Sequence, residues 1–369
     1  MKNFSYITAI LLAFTVNLYG QQIPIDTAHW DINARGYVIE PHLGQSSIYL
    51  QGGTITLKNR EFLNGTIEYD IHLNPERAYP GVYFRIQDNL DAEEFYVRTH
   101  LSGKEDATQA IPMVQGVSPW QLYFGPRYSF PYEFQYNDWT HIKIVIREDK
   151  AQVFMDYSAT PNLSWELTNP IQPGAIAFNG GNFQGVHYAN IQIKDEVPEL
   201  VDFKPIERQP EKGLITAWEI SEKFEEGRLN DPKSLARLLN SVKWQGTLGV
   251  EEGAAVNISR IQRLNDGTPG NTVFARLIIQ SDKDQIKKLD FGYSDRVLAI
   301  LNGAPIYSGS NNWRSRDYRY LGTIGLFDSI FLHLKKGRNE LVMAVSEDFG
   351  GWLITGKFDD LDGMKVSQD

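Results

Sequence analysis

The segment WTHIKIVIREDKAQVFM, residues 139–155, decides the fold class. Ile142, Ile144 and Ile146 recur at every second position, which is the period of a strand. Ala151, Val153 and Met155 repeat the pattern after Glu148-Asp149, a two-residue break of the kind that closes a β-hairpin. Runs of the same character lie on both sides. They are Ser47-Leu50, Thr54-Leu57, Gly65-Leu73, Val82-Ile86, Glu94-Thr99, Gly174-Asn179 and Tyr188-Ile193. Turn residues separate them, and no amphipathic helical period interrupts the half from Trp30 to Lys194. Many short strands with turn punctuation predict a β-sandwich of jelly-roll type.

Residues 195–213, DEVPELVDFKPIERQPEKG, then bring three Pro and many charges, a composition that resists a packed core. Strand alternation resumes at Ile215-Ile220. Asp231-Pro232 predicts an N-cap with Pro at the first helical position, and Leu235, Leu238 and Leu239 give that short helix one apolar face. Strands return at Gly253-Asn257, Thr272-Ser281, Lys287-Phe291, Ser329-Leu334 and Glu340-Ser346. Val297 to Tyr307 reads as strand, Asn302-Gly303 turn, strand. The expectation is an all-β chain of two tandem jelly-roll β-sandwiches, at 21–195 and 215–369. A linker at 196–214 joins them, and a signal peptide at 1–20 precedes them.

That signal reading rests on Lys2, the apolar run Ile7 to Val16, and a cleavage region at Gly20-Gln21-Gln22. The run is too short to span a bilayer, so no membrane span is expected in the mature chain, which would be secreted or periplasmic. There is no Cys, which removes disulfides, thiolate catalysis and Cys-based zinc sites. A length of 369 residues supplies enough burial for two sandwiches to manage without them. The net charge of −10 argues against nucleic acid as a partner.

Two aromatic stretches stand out as candidate binding elements. Residues 120–132 form a long, Pro-punctuated insertion carrying Trp120, Tyr123, Arg127, Tyr128 and Tyr132. Those side chains either line a groove or pack beneath the loop. Residues 311–320, NNWRSRDYRY, place Trp313, Arg314, Arg316, Asp317 and Tyr318 in one loop. Flat rings beside hydrogen-bonding forks suit a sugar or a carboxylate ligand. The competing reading is an Arg-Asp network stapling that loop, with Asp348 and Trp352 as further candidates from the same edge. Glu105, Asp106 and the run Asp88 to Glu94 are the remaining acidic candidates. Asp88-Asn89-Leu90-Asp91 offers hard oxygens that suit either a structural Ca²⁺ or a solvated turn. His72, His100 and His141 show no metal-ligand spacing, so no metal centre and no other cofactor is expected.

The strands FLNGTIEYDI (62–71), GVYFR (81–85), NDWTHIKI (137–144), GAIAF (174–178) and HYANIQI (187–193) together resemble the concanavalin A-like lectin/glucanase superfamily. Within it they are similar to laminin-G-like domains and to the 3-keto-disaccharide hydrolase type, over roughly Glu61 to Lys194. Laminarinase-like members place two Glu and an Asp on one strand, spaced Glu-x-Asp-x-(x)-Glu. Here Glu68-Tyr69-Asp70-Ile71-His72-Leu73 supplies the first two carboxylates and not the third, which disfavours that hydrolysis. In the second half, Leu301-Asn302-Gly303 and Leu334-Lys335-Lys336-Gly337-Arg338-Asn339-Glu340-Leu341 resemble galactose-binding-like jelly rolls, from about Ala217 to Phe358. Together with the signal reading, the resemblances imply an exported protein that recognises a glycan or oligosaccharide. A hydrolase with its first sandwich catalytic and a protein-interaction module of laminin-G type are the alternatives.

Overall fold

The computed structural model describes residues 22–209, 211–312 and 317–367. The first-half strands are β1 Trp30–His42, β2 Gln45–Leu57, β3 Gly65–His72, β4 Gly81–Ile86, β5 Ala92–Val97, β6 Thr108–Met113, β7 Thr140–Arg147, β8 Lys150–Met155, β9 Leu163–Glu166, β10 Ala175–Asn179 and β11 Val186–Asp195. The second half holds β12 Ala217–Ser221, helix α1 Pro232–Ser241, β13 Trp244–Gly249, β14 Val256–Asn257, β15 Thr272–Ser281, β16 Gln285–Ser294, β17 Arg296–Leu301, β18 Ala304–Ser310, β19 Asp328–Leu334, β20 Gly337–Ser346, β21 Leu353–Phe358 and β22 Met364–Ser367. The chain is all-β, as its alternation predicts. No described helix is long and apolar enough to cross a membrane.

In the first half one hydrogen-bonded path runs β6-β5-β4-β10-β2-β11-β3-β7-β8-β9, with β1 added on β2. β5 and β9 sit near opposite ends of this path. Yet the rings of Phe95 and Trp165 lie 6.4 Å apart. The sheet is therefore folded over on itself, and its inward residues form one core from Leu50 and Phe84 through Ile144 to Tyr188. In the second half, the path β13-β12-β15-β20-β17-β18 faces β14-β21-β16-β19. Trp218, Leu277 and Met343 from one sheet meet Phe291, Leu332 and Ile354 from the other in a shared core. Hydrophobic burial of this kind is worth roughly 25 cal/mol per Å² and stabilises each half without disulfides.

Local signals settle where the chain turns. Asn302 and Gly303 have φ of 51° and 83°, the positive values that a two-residue hairpin of this hand needs. The Asp231 carboxylate accepts the Ser234 N–H at 2.7 Å, capping α1 at its predicted start. Several strands escape the sequence pattern. β1 has mostly exposed or half-exposed residues, β13 likewise, and β9 is only four residues long, so none presents a continuous apolar period.

The stretch between the halves is laid along the first one. Gln152 Oε1 accepts Val201 N at 2.8 Å, and Arg127 Nη1 donates to the Ile206 carbonyl at 2.5 Å. The 120–132 insertion forms a seam with the second half. Gln121 Oε1 accepts Gly351 N at 2.9 Å, and Gln121 O accepts Ile324 N at 2.8 Å. Tyr123 Oη donates to Glu251 Oε2 at 2.5 Å, and Arg260 joins Glu251 to Asn169.

Candidate functional site

Strand β5 reads Ala-Glu-Glu-Phe-Tyr-Val and is buried along its whole length. Its period of two sends Phe95 into the core and Glu94 and Tyr96 to the opposite face. Arg98 continues that face just beyond the strand. Register places Tyr83 of β4 opposite Glu94, and Gln109 of β6 opposite Tyr96. Tyr83, Glu94, Tyr96 and Arg98 form the floor of a cavity of about 680 Å³. That volume lies within the range of small-molecule sites. Its walls are aromatic: Tyr79, Trp120, Phe183 and Phe349. Phe183 and Phe349 are more than half exposed at the mouth, whereas Glu94 and Arg98 are buried at the bottom.

The floor is fixed by hydrogen bonds. Arg98 Nη1 donates to Asp106 Oδ1 at 2.6 Å, and Nη2 to Tyr96 Oη at 2.8 Å. Tyr96 Oη in turn donates to Gln109 Oε1 at 2.5 Å. Asn179 Nδ2 reaches both the Tyr79 carbonyl and Tyr83 Oη, at 3.1 and 3.3 Å. Arg77 lies over the Phe183 ring at 4.9 Å and holds Tyr79 Oη at 2.8 Å, which orients two walls. Burial pushes the Glu94 carboxyl up to about 8, against the opposing pull of Tyr83 and Arg98. Glu94 therefore holds its proton at neutral pH and can donate as well as accept. The indole N–H of Trp120 is buried and has no acceptor among the described residues.

Of the predicted binding residues, Trp120 reaches this cavity. Tyr123 and Tyr128 do not line a groove. They are core residues with rings 5.1 Å apart, buried because the insertion is covered by the second half. Arg127 is a staple, joining Glu252 at 2.8 Å and the Ile206 carbonyl. Tyr132 donates to Asp156 and packs on Phe134. In the other stretch, Asp317 pairs with Arg319 at 2.7 Å, and Tyr318 is 97% exposed. Tyr320 packs on Phe124, and Leu321 N donates to Asp106 Oδ2 at 2.8 Å. The described part of that loop thus fastens the two halves together. Trp313, Arg314 and Arg316 lie outside the described residues. Trp352 is a core residue donating to the Val345 carbonyl, and Asp348 is held by Arg296 at 2.7 Å.

The other acidic and histidine candidates separate. Asp91 accepts Gln115 N at 2.7 Å and Asn89 Nδ2 at 2.8 Å. Glu68 and Asp70 share the face of β3 that carries His141 from β7. His141 Nδ1 lies 2.7 Å from Asp70 and Nε2 3.7 Å from Glu68, with Tyr157 stacked on the ring. Burial opposes the His141 charge, but the hydrogen bonds to Asp70 and then Glu68 outweigh it and raise its pKa to about 9. His42, His72 and His187 bring one ring nitrogen each within 4.8 Å of one another, a grouping of metal-ligating type. Their ligand atoms come from three strands distant in sequence, so no short spacing announced them.

No protein-family model and no curated protein sequence matches the chain. Solved structures of the lectin/glucanase kind do resemble part of it. The β-glucanase of Bacillus licheniformis is similar at 13% identity, covering 48% of this chain and 97% of its own, with a TM-score of 0.36. A carbohydrate-binding module, CBM66 of Bacillus subtilis, is similar at 12% identity over 44% of this chain and 98% of its own, TM-score 0.32. A galectin of Caenorhabditis elegans follows at 17% identity, over 44% and 99%, TM-score 0.29. Likeness at this level says nothing of ligand or reaction.

Proposed function

We propose that this protein binds a saccharide in the cavity between Trp120 and Phe183, acting outside the cytoplasm as its N-terminal sequence suggests. One observation carries the reading: aromatic walls enclose a floor of fixed polar groups around the buried carboxyl of Glu94. A sugar ring presents apolar C–H faces and an equator of hydroxyls. Tyr79, Trp120, Phe183 and Phe349 match the faces, while Glu94, Asn179 and the free Trp120 N–H match the hydroxyls. Because the floor is already held by Arg98, Gln109 and Asp106, little ordering is required on binding. The test is calorimetric and glycan-array binding with wild-type protein, Trp120→Ala and Phe183→Ala. Both variants should lose at least about tenfold in affinity, the loss of one well-packed aromatic contact.

A second reading, turnover of the bound saccharide, is favoured by the Glu94 proton, since a general acid must keep one near neutral pH. Glu94 is the single carboxylate among the described lining residues. A two-carboxylate glycosidase mechanism is therefore not supported, and any turnover would pair Glu94 with Tyr83. Product formation from candidate disaccharides that stops in Glu94→Gln, with binding retained, would favour this reading over recognition alone.

A further inference from the structure

We propose that His42, His72 and His187 form a site for a divalent transition-metal ion of the zinc, copper or nickel class, which clamps the tip of the β1–β2 hairpin onto β3 and β11. Strand register builds the site. His72 ends β3 and pairs directly with His187 at the start of β11. His42 ends β1 and comes over them from the hairpin tip, where it pairs with Gln45. All three rings are half-buried, so they are shielded yet reachable.

The nitrogen positions suit a metal. His42 Nε2 lies 3.1 Å from His72 Nδ1. Two ligands of a tetrahedral zinc, each about 2.0–2.1 Å from the ion, stand roughly 3.3 Å apart. His72 Nε2 lies 3.1 Å from the Tyr136 carbonyl, which can only accept. That nitrogen therefore carries the ring proton, and the Nδ1 lone pair is left facing His42. Glu40 Oε1 lies 3.2 Å from His187 Nε2 and puts a negative charge beside the ion. Neutral imidazole suits zinc, copper and nickel rather than calcium or magnesium.

One adjustment is required. The His42 and His187 rings are stacked 3.7 Å apart and nearly parallel. Parallel rings cannot both aim in-plane lone pairs at one ion, so binding turns His42 out of the stack. Trp139 packs edge-on against His42 and His72, at 5.7 and 5.9 Å, and reports on the site.

The experiment uses the full chain, purified without a polyhistidine tag, stripped with chelator and titrated with Zn²⁺ by calorimetry. A second titration follows Cu²⁺ quenching of tryptophan fluorescence. The expected result is saturable binding of one equivalent, weakened at least about tenfold in His42→Gln and His72→Ala and retained in His141→Ala. Part of the Cu²⁺ quenching should vanish in Trp139→Phe. His42→Gln sits at the hairpin tip and keeps the test valid if His72→Ala does not fold. Absence of binding, binding unchanged in His42→Gln, or quenching unchanged in Trp139→Phe would overturn the proposal. Saccharide binding is a separate readout and decides nothing here.

Discussion

Asp106 Oδ2 accepts the backbone N–H of Leu321 at 2.8 Å, joining residues 215 positions apart. The same carboxylate holds Arg98 through Oδ1 at 2.6 Å, and both side chains are 1% exposed. One acid thus fixes the cavity floor and fastens the second half above it.

Removing that acid should be costly. Asp106→Ala leaves the Arg98 guanidinium buried without its counter-charge, a change worth about 3–5 kcal/mol. Urea unfolding should show a loss of that size. A loss below about 1 kcal/mol would mean the pair contributes little to the fold.

The buried Glu94 gives stability a definite pH trend. Its carboxyl is raised from 4.5 to about 8 in the folded state, chiefly by burial. The folded protein then holds a proton that the unfolded chain releases, so its contribution is full below about 4.5 and is lost as pH rises through about 8. Burial raises Glu93 to about 7, and His141 is raised from 6.5 to about 9 by Asp70 and Glu68 against burial; both act with the same sign. The melting temperature should fall as pH rises from about 4.5 to about 9. Glu94→Gln, which stays neutral throughout, should flatten part of that slope.

Gly350 is a steric test of the seam. It has φ of +105°, and a Cβ there would meet the Trp120 ring at 2.4 Å. Gly350→Ala should destabilise by about 1–3 kcal/mol and displace Trp120 from the cavity wall. Thermal melting and ligand titration of the same variant check both effects.

Tyr318 serves as the contrast. With 97% of its surface exposed, it supports neither core nor cavity. Tyr318→Ala should change stability by no more than about 0.5 kcal/mol and leave saccharide affinity unaltered. A loss of affinity in this variant would return the candidate site to the 311–320 loop.

What was legible in the sequence was local. The Asn302-Gly303 hairpin, the Asp231 cap and the paired runs of residues 139–155 obey rules that act within a few residues. The site depended on partners far along the chain. Tyr123 and Tyr128 look like a binding surface until Glu251 and the second half cover them. Glu94 sits in a run of acids, and only the register of β4, β5 and β6 sets it beside Tyr83 at the bottom of a cavity. His42, His72 and His187 meet for the same reason, through strand pairing rather than spacing.

The most direct measurement is calorimetric titration of purified protein with oligosaccharides selected on a glycan array, run beside Trp120→Ala. The account predicts saturable binding in the wild type and at least about tenfold weaker binding in the variant, measured at a temperature where both proteins are fully folded. Failure of every saccharide to bind, or equal affinity in the two proteins, would contradict it.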